Sequence, residues 1–354
     1  MRSVLAVRLD SAGDVLLMGP ALRAIARHAE VVDLLVSPRG VEAAALLPGV
    51  DEVVEFDAPW AGVPAAGFDP TAVSALVERI AGRGYDEAVV FTSYHQSPLP
   101  MALLARLAGV RRVVATSDDY PGSLLDVRHR RSSDGTDDDG SARGGHEVAA
   151  ALDLAAAAGH RLPRADDARL QLREPLPAAP PGLPAQPYVV VHPGAAAPAR
   201  GIPAAQARTI AGALADEGWA VVVTGGVGER QVAEEVAPPG GCTLAGRTTL
   251  AELATVLRGA DALVVGNTGP AHLSAAVGTP VVSLFAPVVP AARWGPWKVP
   301  SVLLGDQQAS CAGTRARACP VPGHPCLAHV RPADVVAAVE ALAGVPRCPG
   351  WRAS

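Results

Sequence analysis

The chain has 354 residues, which predicts about two domains because single hydrophobic cores rarely grow beyond roughly 250–300 residues. Hydrophobic residues make up 49% of the chain and charged residues 18%, and the formal net charge is −5. Nucleic acid is therefore not an expected partner, because domains that bind nucleic acid are usually strongly basic. No run of about 18 apolar residues predicts a membrane span, and Arg8 and Asp10 interrupt the first apolar run too early for a signal peptide. We therefore expect a cytoplasmic protein.

The first part of the chain alternates short apolar runs, typical of buried strands, with helical patterns. The strand-like runs are SVLAVRL, VVDLLVS, EVVEF, EAVVFTS and RRVVATS. Helices are predicted over about 14–29, from Val41, over 71–83, around 100–108 and over 146–158. This alternation predicts βαβ units in a parallel sheet, and we assign 1–172 to an N-terminal Rossmann-like domain. Residues 131–145 are too polar and too rich in Gly and Ser to pack, and they predict a mobile loop.

A proline-rich linker, REPLPAAPPGLPAQP, is predicted over 173–187. Beyond it the alternation restarts over 188–345, with a tail at 346–354. The strand-like runs are YVVVHPG, WAVVVTGG, CTLAG, ALVVG, PVVSLF and SVLLGD, and the helical patterns cover 203–217, 228–236, 249–259, 269–277 and 332–343. The sequence therefore predicts an α/β fold of two doubly wound parallel-sheet domains, with a ligand cleft facing the carboxyl ends of both sheets.

The run ADALVVGNTGPAHLSAAVGTPVVSLF over 260–285 is the most informative motif. It predicts a strand, a tight turn at Asn267 and Thr268, a helix from Gly269 and a second strand. The first amides of a helix carry a partial positive charge, so the turn suits an anionic group such as a phosphate, with His272 one turn inside. The alternative is an ordinary helix cap beside a buried histidine.

Three further glycine turns follow predicted strands. The first, SAGD, ends in Asp14, which is either a general base or a helix cap. The second, HPGAAAPARGIP over 192–203, offers amides and Arg200 to phosphate oxygens unless it is only a surface loop. The third, GGVGE, carries Glu229, which either faces a sugar hydroxyl or lies exposed on a helix.

The third turn also partly matches a dinucleotide fingerprint through Gly226 and Gly228. Its third position is Gln231, and no strand with an acidic end follows at the required distance, so we expect no nicotinamide cofactor. Cys311, Cys319 and Cys326, with His324 and His329, lack the C-x2-C clip of structural zinc sites and are interpreted as free thiols. No metal and no cofactor is expected.

Five segments of the chain together carry a resemblance to a known family. They are RLDSAGDVLLMGPALRAI, VVHPGA, VVVTGGVGE, LAGRTTLAELATVLRGADALVVGNTGPAHLSAAVGTPVVSLFAP and RWGP. In this order they resemble glycosyltransferase family 9, the ADP-heptose heptosyltransferases. The resemblance implies a GT-B fold and inverting, metal-independent transfer of heptose from ADP-heptose to a saccharide or glycolipid acceptor. The family typically acts on the inner core of lipopolysaccharide, which implies peripheral contact with the cytoplasmic face of the inner membrane.

The resemblance also implies residue roles. Asp14 matches the catalytic base of the family. The residues implied to bind the donor are Gly13, Arg200, Glu229, Asn267, Thr268, Gly269 and His272. Arg200 stands where lysine is usual and would bind phosphate, whereas Glu229 would contact the ribose. His272 and the amides around Thr268 would meet the charge of the departing ADP.

Besides Arg200, two positions depart from the family pattern. Asn267 stands where the family commonly has Asp, and Ile202 replaces an aromatic residue. Three alternatives therefore stay open: a GT-B transferase with another nucleotide sugar and a cell-wall or small-molecule acceptor, a nucleotide-sugar epimerase, and a non-catalytic nucleotide-sugar binding module.

Overall fold

The computed structural model describes residues 2–62, 65–93, 96–131 and 145–343. The chain divides into two units, Met1–Arg173 and Glu174–Ser354. Most of the predicted mobile loop, residues 132–144, lies outside the described residues, as does the predicted tail.

The first unit contains one six-stranded parallel sheet. Its strands are β1 (Ser3–Arg8), β2 (Val31–Val36), β3 (Glu52–Glu55), β4 (Glu87–Phe91), β5 (Arg112–Thr116) and β6 (Val127–His129). They lie in the order β3-β2-β1-β4-β5-β6, and every neighbouring pair is parallel. Strand β6 was not predicted, because its sequence VRH has no apolar run.

The helices of the first unit are α1 (Ala12–Leu17), α2 (Gly19–Ala26), α3 (Val41–Ala45), α4 (Pro70–Arg83), α5 (Leu99–Leu107) and α6 (Glu147–Ala157). The single helix predicted over 14–29 was wrong, because the chain forms two helices joined at Met18. Pro20 cannot donate a backbone hydrogen bond to a preceding turn, and it occupies the first turn of α2 instead. The first helix also begins before Asp14, with Ser11 as its N-cap residue.

The second unit repeats the same arrangement. Its strands are β7 (Tyr188–His192), β8 (Ala220–Val223), β9 (Cys242–Thr243), β10 (Ala262–Gly266), β11 (Val281–Leu284) and β12 (Ser301–Leu304), in the order β12-β11-β10-β7-β8-β9. All neighbouring pairs are again parallel. Strand β10 is wholly buried, as its apolar sequence ALVVG predicts.

The helices of the second unit are α7 (Ala204–Asp216), α8 (Arg230–Val236), α9 (Leu250–Arg258), α10 (Gly269–Val277), α11 (Ala291–Trp294), α12 (Pro325–Ala328) and α13 (Pro332–Ala343). Two short 3-10 turns, Pro198–Arg200 and Val227–Glu229, follow strands β7 and β8. Helix α9 begins with a capping box in which Thr249 and Glu252 satisfy each other's backbone amides.

The proline-rich segment 173–187 contacts the second unit rather than running free of it. Glu174 pairs with Arg258, and the hydroxyl of Thr255 donates to the Pro177 carbonyl at 2.8 Å. Both partners lie on helix α9, so the start of this segment is fixed to that helix.

Each unit has its own hydrophobic core between sheet and helices. In the first unit Leu5, Val90 and Met101 are completely or almost completely buried, and in the second Val191 and Ile210 are inaccessible to solvent. Within the described residues, none of the helices is long and apolar enough to cross a membrane.

In both sheets the first strand of the unit lies between the second and the fourth. The chain therefore leaves β1 and β4 in opposite directions, as it does β7 and β10, which leaves a crevice beyond their carboxyl ends. Parallel sheets of this type bind ligands at that point. Asp14, Arg200 and Asn267 follow β1, β7 and β10, whereas Glu229 follows the neighbouring strand β8.

Candidate functional site

The loop after β10 forms the predicted strand-turn-helix corner. Thr268 is the N-cap residue of α10 in extended conformation (φ −145°, ψ 172°), and Gly269 and Pro270 form the first turn of this nine-residue helix. In the described structure the Thr268 side chain makes no capping hydrogen bond. The positive end of the α10 dipole therefore opens at the carboxyl edge of the sheet, where an anion is stabilised.

The loop after β7 lies directly against the end of β10. A methyl group placed on Gly266 would overlap the carbonyl oxygen of Arg200, so the two backbones touch only because residue 266 is glycine. The Ile202 amide donates to the Pro193 carbonyl at 2.8 Å, which closes the loop, and the Ala199 amide donates to the Arg317 carbonyl at 2.8 Å. These contacts place Arg200 beside the Asn267 corner.

The loop after β8 meets the other side of the β7 loop. The Glu229 carboxylate accepts a hydrogen bond from the Gly226 amide at 2.6 Å. Its oxygens fill the space that a side chain at residue 194 would need, because a methyl group on Gly194 would overlap them. The three loops that follow β8, β7 and β10 are thus in contact, and Glu229, Arg200 and the α10 N-terminus share one edge.

Two buried histidines lie at this edge. His192 ends β7, and its Nδ1 lies 3.0 Å from the hydroxyl of Thr224. Burial lowers the pKa of His192, against the opposing effect of Glu229, and so favours the neutral imidazole. His272 is 5% exposed in the first turns of α10. His192 begins the HPG turn but was not predicted as a site residue, although its position at the end of a buried strand indicated it.

Asn267 is buried behind the corner, with 7% of its surface exposed. Its Nδ2 donates to the Ala286 carbonyl at 3.4 Å, and its Oδ1 has no hydrogen-bond partner among the residues that the structure describes. A buried amide oxygen without a partner is costly, so a ligand hydroxyl that donates to it would be stabilised.

Asp14 and Gly13 lie in the first unit, inside helix α1 at the carboxyl edge of the sheet. The Ser11 hydroxyl donates to Asp14 Oδ2 at 2.7 Å, and Arg8 Nη2 lies 3.3 Å from Oδ1. The Asp14 side chain remains 18% exposed, so solvent or a substrate can reach it. Gly13 is buried, and the structure groups it with Asp14 rather than with the other predicted donor residues, which all belong to the second unit.

A buried polar cluster around Asp14 was not predicted from the sequence. Arg8 is 3% exposed, and its Nε lies 2.7 Å from Asp10 Oδ2. Asp10 also accepts a hydrogen bond from Gln96 at 2.6 Å, and burial raises the pKa of its carboxyl to about 6, although the charge of Arg8 opposes this shift. Arg8 also contacts Ser93 and Glu147. The available signal was Arg8 and Asp10 themselves, two charges at the end of an otherwise apolar strand.

The described cysteines of the second unit, Cys242, Cys311, Cys319 and Cys326, do not form a recognisable metal centre. Cys311 and Cys326 are both buried, and burial raises the pKa of the Cys326 thiol to about 11, with Cys311 and Cys319 adding to the shift. Over the described residues there is no group of three or more His, Cys, Asp or Glu side chains placed to hold a metal ion.

Solved structures share this architecture along almost the whole chain. The chain is similar to E. coli ADP-heptose lipopolysaccharide heptosyltransferase II, with a TM-score of 0.70 and 18% identity over 96% of this chain and 98% of that one. It is also similar to an E. coli heptosyltransferase solved with ADP-2-deoxy-2-fluoro heptose, with a TM-score of 0.66 and 20% identity over 96% and 99% of the two chains. The two Rossmann-like units therefore define a protein of the GT-B fold class.

The family follows from the sequence. The model of glycosyltransferase family 9 (heptosyltransferase) matches residues 76–324, and the chain belongs to this family. A segment of 120 residues is 37% identical to lipopolysaccharide heptosyltransferase 1 of Pseudomonas aeruginosa. That alignment covers 33% of this chain and spans 33% of the length of the curated relative. The predicted GT-B fold and the predicted family are confirmed.

Proposed function

We propose that this protein transfers a heptose from ADP-heptose to a hydroxyl group of a saccharide or glycolipid acceptor, with inversion, without a metal ion and with Asp14 as general base. One observation carries the proposal for the donor. The loops after β8 and β10 each contact the loop after β7, which brings the Glu229 carboxylate, the backbone of Arg200 and the N-terminus of α10 to one edge of the second sheet, a set that suits the ribose and phosphates of a nucleotide sugar.

The donor roles follow from the chemistry of each group. Glu229 accepts hydrogen bonds and would bind ribose hydroxyls, whereas Arg200 would bind phosphate oxygens. The N-terminus of α10, with Thr268, Gly269 and His272, would stabilise the negative charge that develops on ADP as it leaves. The buried Oδ1 of Asn267 would accept a hydrogen bond from the donor.

The acceptor side of the reaction would use Asp14. As the acceptor oxygen attacks the anomeric carbon, its proton passes to the Asp14 carboxylate, a new C–O bond forms and the bond from the anomeric carbon to the phosphate oxygen breaks. Asp14 suits this task because it is partly exposed, whereas Asp10 is closed off by Arg8 and Gln96. Attack on the face opposite the leaving ADP gives the inverted product.

The acceptor is proposed from relatives whose names refer to lipopolysaccharide. A glycolipid acceptor would bring the enzyme to the cytoplasmic face of a membrane, and we place it in the cytoplasm on this reasoning. The amide of Asn267, where the family commonly has a carboxylate, specifically favours a second candidate: transfer of a different sugar from its nucleotide to a cell-wall or small-molecule acceptor.

A thermal-shift titration with ADP, UDP, GDP and ADP-heptose, with and without EDTA, tests the donor. A ligand at 100 times its Kd stabilises by about 2.7 kcal/mol, which is easily measured. Stabilisation selective for ADP and ADP-heptose and unaffected by EDTA is expected. A preference for UDP or GDP would exclude ADP-heptose as the donor and favour the second candidate, transfer of a different sugar from its nucleotide. Loss of binding in EDTA would overturn metal independence.

A further inference from the structure

Arg8 is the buried cation next to the proposed base. It is the last residue of β1, it pairs in register with Phe91 of β4, and its side chain is 3% exposed. We propose that Arg8 is a positioning residue that keeps Asp14 ionised and oriented for proton transfer. The catalytic part of this inference rests on the proposed role of Asp14.

Contacts with Arg8 and Ser11 help to orient the Asp14 carboxylate. Arg8 Nη2 lies 3.3 Å from one oxygen, and the Ser11 hydroxyl lies 2.7 Å from the other. Arg8 belongs to a strand and Ser11 is the N-cap residue of α1, so the backbone holds both groups in place. The carboxylate can still receive a proton, because each oxygen can accept more than one hydrogen bond.

Arg8 is itself held on several sides. Its Nε lies 2.7 Å from Asp10, and its Nη2 lies 3.1 Å from the Ser93 hydroxyl and 3.6 Å from Glu147. Glu147 in turn pairs with Arg131 at 2.8 Å. A planar guanidinium can contact these groups together, whereas a single ammonium group cannot reproduce the arrangement.

The charges of this cluster give Arg8 its effect on Asp14. Three carboxylates, Asp10, Asp14 and Glu147, surround two guanidinium groups. A cation within about 4 Å favours the ionised form of a carboxyl group, and a nearby anion disfavours it. Without Arg8, Asp14 would face the like charges of Asp10 and Glu147, so its pKa would rise and less base would be available.

Other charged groups lie on the elements that pack against α1. They are Arg39 and Glu42 from the segment 38–45, Arg23 from α2, and Glu147 and Asp153 from α6. Arg23 is engaged by Asp166 at 2.8 Å. Arg23 is therefore a matched control, because it is another mostly buried arginine of the same unit whose partner is not Asp14.

The direct test measures the pKa of Asp14 by carbon-detected NMR of protein labelled at the aspartate carboxyls. The variant Asp14→Asn identifies the resonance. Arg8→Met should raise the pKa of Asp14 by at least about one unit, which is a tenfold gain in proton affinity, and Arg23→Met should leave it unchanged. Glu147→Gln should shift the pKa downward, because it removes a like charge and frees Arg8, and it supplies a test if Arg8→Met does not fold.

The kinetic test separates positioning from general damage. Arg8→Lys should keep KM for the donor and lower kcat, and in Arg8→Met the acidic limb of the pH profile should move to higher pH, so that raising the pH restores turnover. Equal loss of kcat at every pH, or an Asp14 pKa that responds neither to Arg8→Met nor to Glu147→Gln, would overturn the inference. The NMR readout needs no substrate, so it tests the effect of Arg8 independently of catalysis. If Asp14→Asn proved fully active, Asp14 would not be the base. The NMR measurement would still decide whether Arg8 controls the ionisation of Asp14.

Discussion

At the scale of single residues, the contact between Gly194 and Glu229 joins two loops of the proposed donor site. The carboxylate occupies the space beside Gly194, so Gly194→Ala must push Glu229 away from its bond with the Gly226 amide. A hydrogen bond to a charged group contributes about 1.5–3 kcal/mol, so affinity for ADP should fall roughly 10- to 100-fold. Isothermal titration calorimetry measures this loss.

The matched control is Gly212→Ala. Gly212 lies inside α7 with no atom within 4 Å of an added methyl group, so this variant should bind ADP as the natural protein does. Equal affinities in both variants would show that Glu229 does not contact the nucleotide.

Asp10 gives a prediction for pH. Burial raises its pKa from 3.8 to about 6, so the folded protein holds a proton that the unfolded chain has lost in that interval. The contribution of Asp10 to the free energy of unfolding therefore falls as the pH rises through this window, by about 3 kcal/mol in total. Urea denaturation measures the free energy of unfolding of the natural protein and of Asp10→Asn. The difference between these two free energies should change by this amount between about pH 3.5 and about pH 7. A difference that is independent of pH would contradict it.

How far single residues could be predicted depends on where their partners are. Glu229 and Arg200 follow strands in glycine turns, so the sequence alone indicated a ligand edge. Arg8 and Glu147 were missed because they are far apart in the chain, and only the sheet and α6 bring them within 3.6 Å. The unexpected role of Gly194 likewise depends on a contact with the loop that follows the neighbouring strand β8.

At the scale of elements, the site depends on how closely the loop after β7 approaches β10. Gly266→Ala would insert a methyl group into the Arg200 carbonyl, and neither backbone can move without disturbing the sheet edge. We expect weaker ADP binding, by roughly tenfold or more, because Arg200 and the α10 corner would separate. Surface plasmon resonance with immobilised protein measures the change.

Gly228→Ala is the comparison for this experiment. An added methyl group there meets nothing within 4 Å, and Gly228 lies in the short turn that resembled a dinucleotide fingerprint. Unchanged ADP binding is expected. If Gly228→Ala abolished binding and Gly266→Ala did not, the phosphates would lie on the β8 loop instead.

Elements with clear periodic patterns were predictable, and those defined by local geometry were not. Helices α6 and α13 matched their predicted ranges because alanines and valines repeat at helical spacing. The break between α1 and α2 was missed because the apolar pattern continues across it, although Gly19 and Pro20 were visible. The short helices α11 and α12 have too few residues for any periodicity.

At the scale of the whole molecule, each unit places its polar groups where the chain leaves the first and fourth strands of its sheet. In the first unit these are Arg8, Asp10 and Ser93, and in the second His192 and Asn267. The alternation of strands and helices made this organisation predictable, since it fixes parallel sheets and their crossover connections. The identities of acceptor and donor sugar are not encoded in that alternation.

The most direct test of the central claim is to measure ADP-heptose affinity and turnover for the natural protein and for Asp14→Asn, in EDTA. Asparagine has nearly the same shape as aspartate, and Asp14 lies in the first turn of α1 rather than at its N-cap, so the fold should survive, and removal of a general base costs about 10²- to 10⁴-fold in rate. Unchanged donor affinity with turnover reduced by that factor is the predicted result. Turnover that persists in Asp14→Asn at the rate of the natural protein would contradict the assignment of Asp14 as the base.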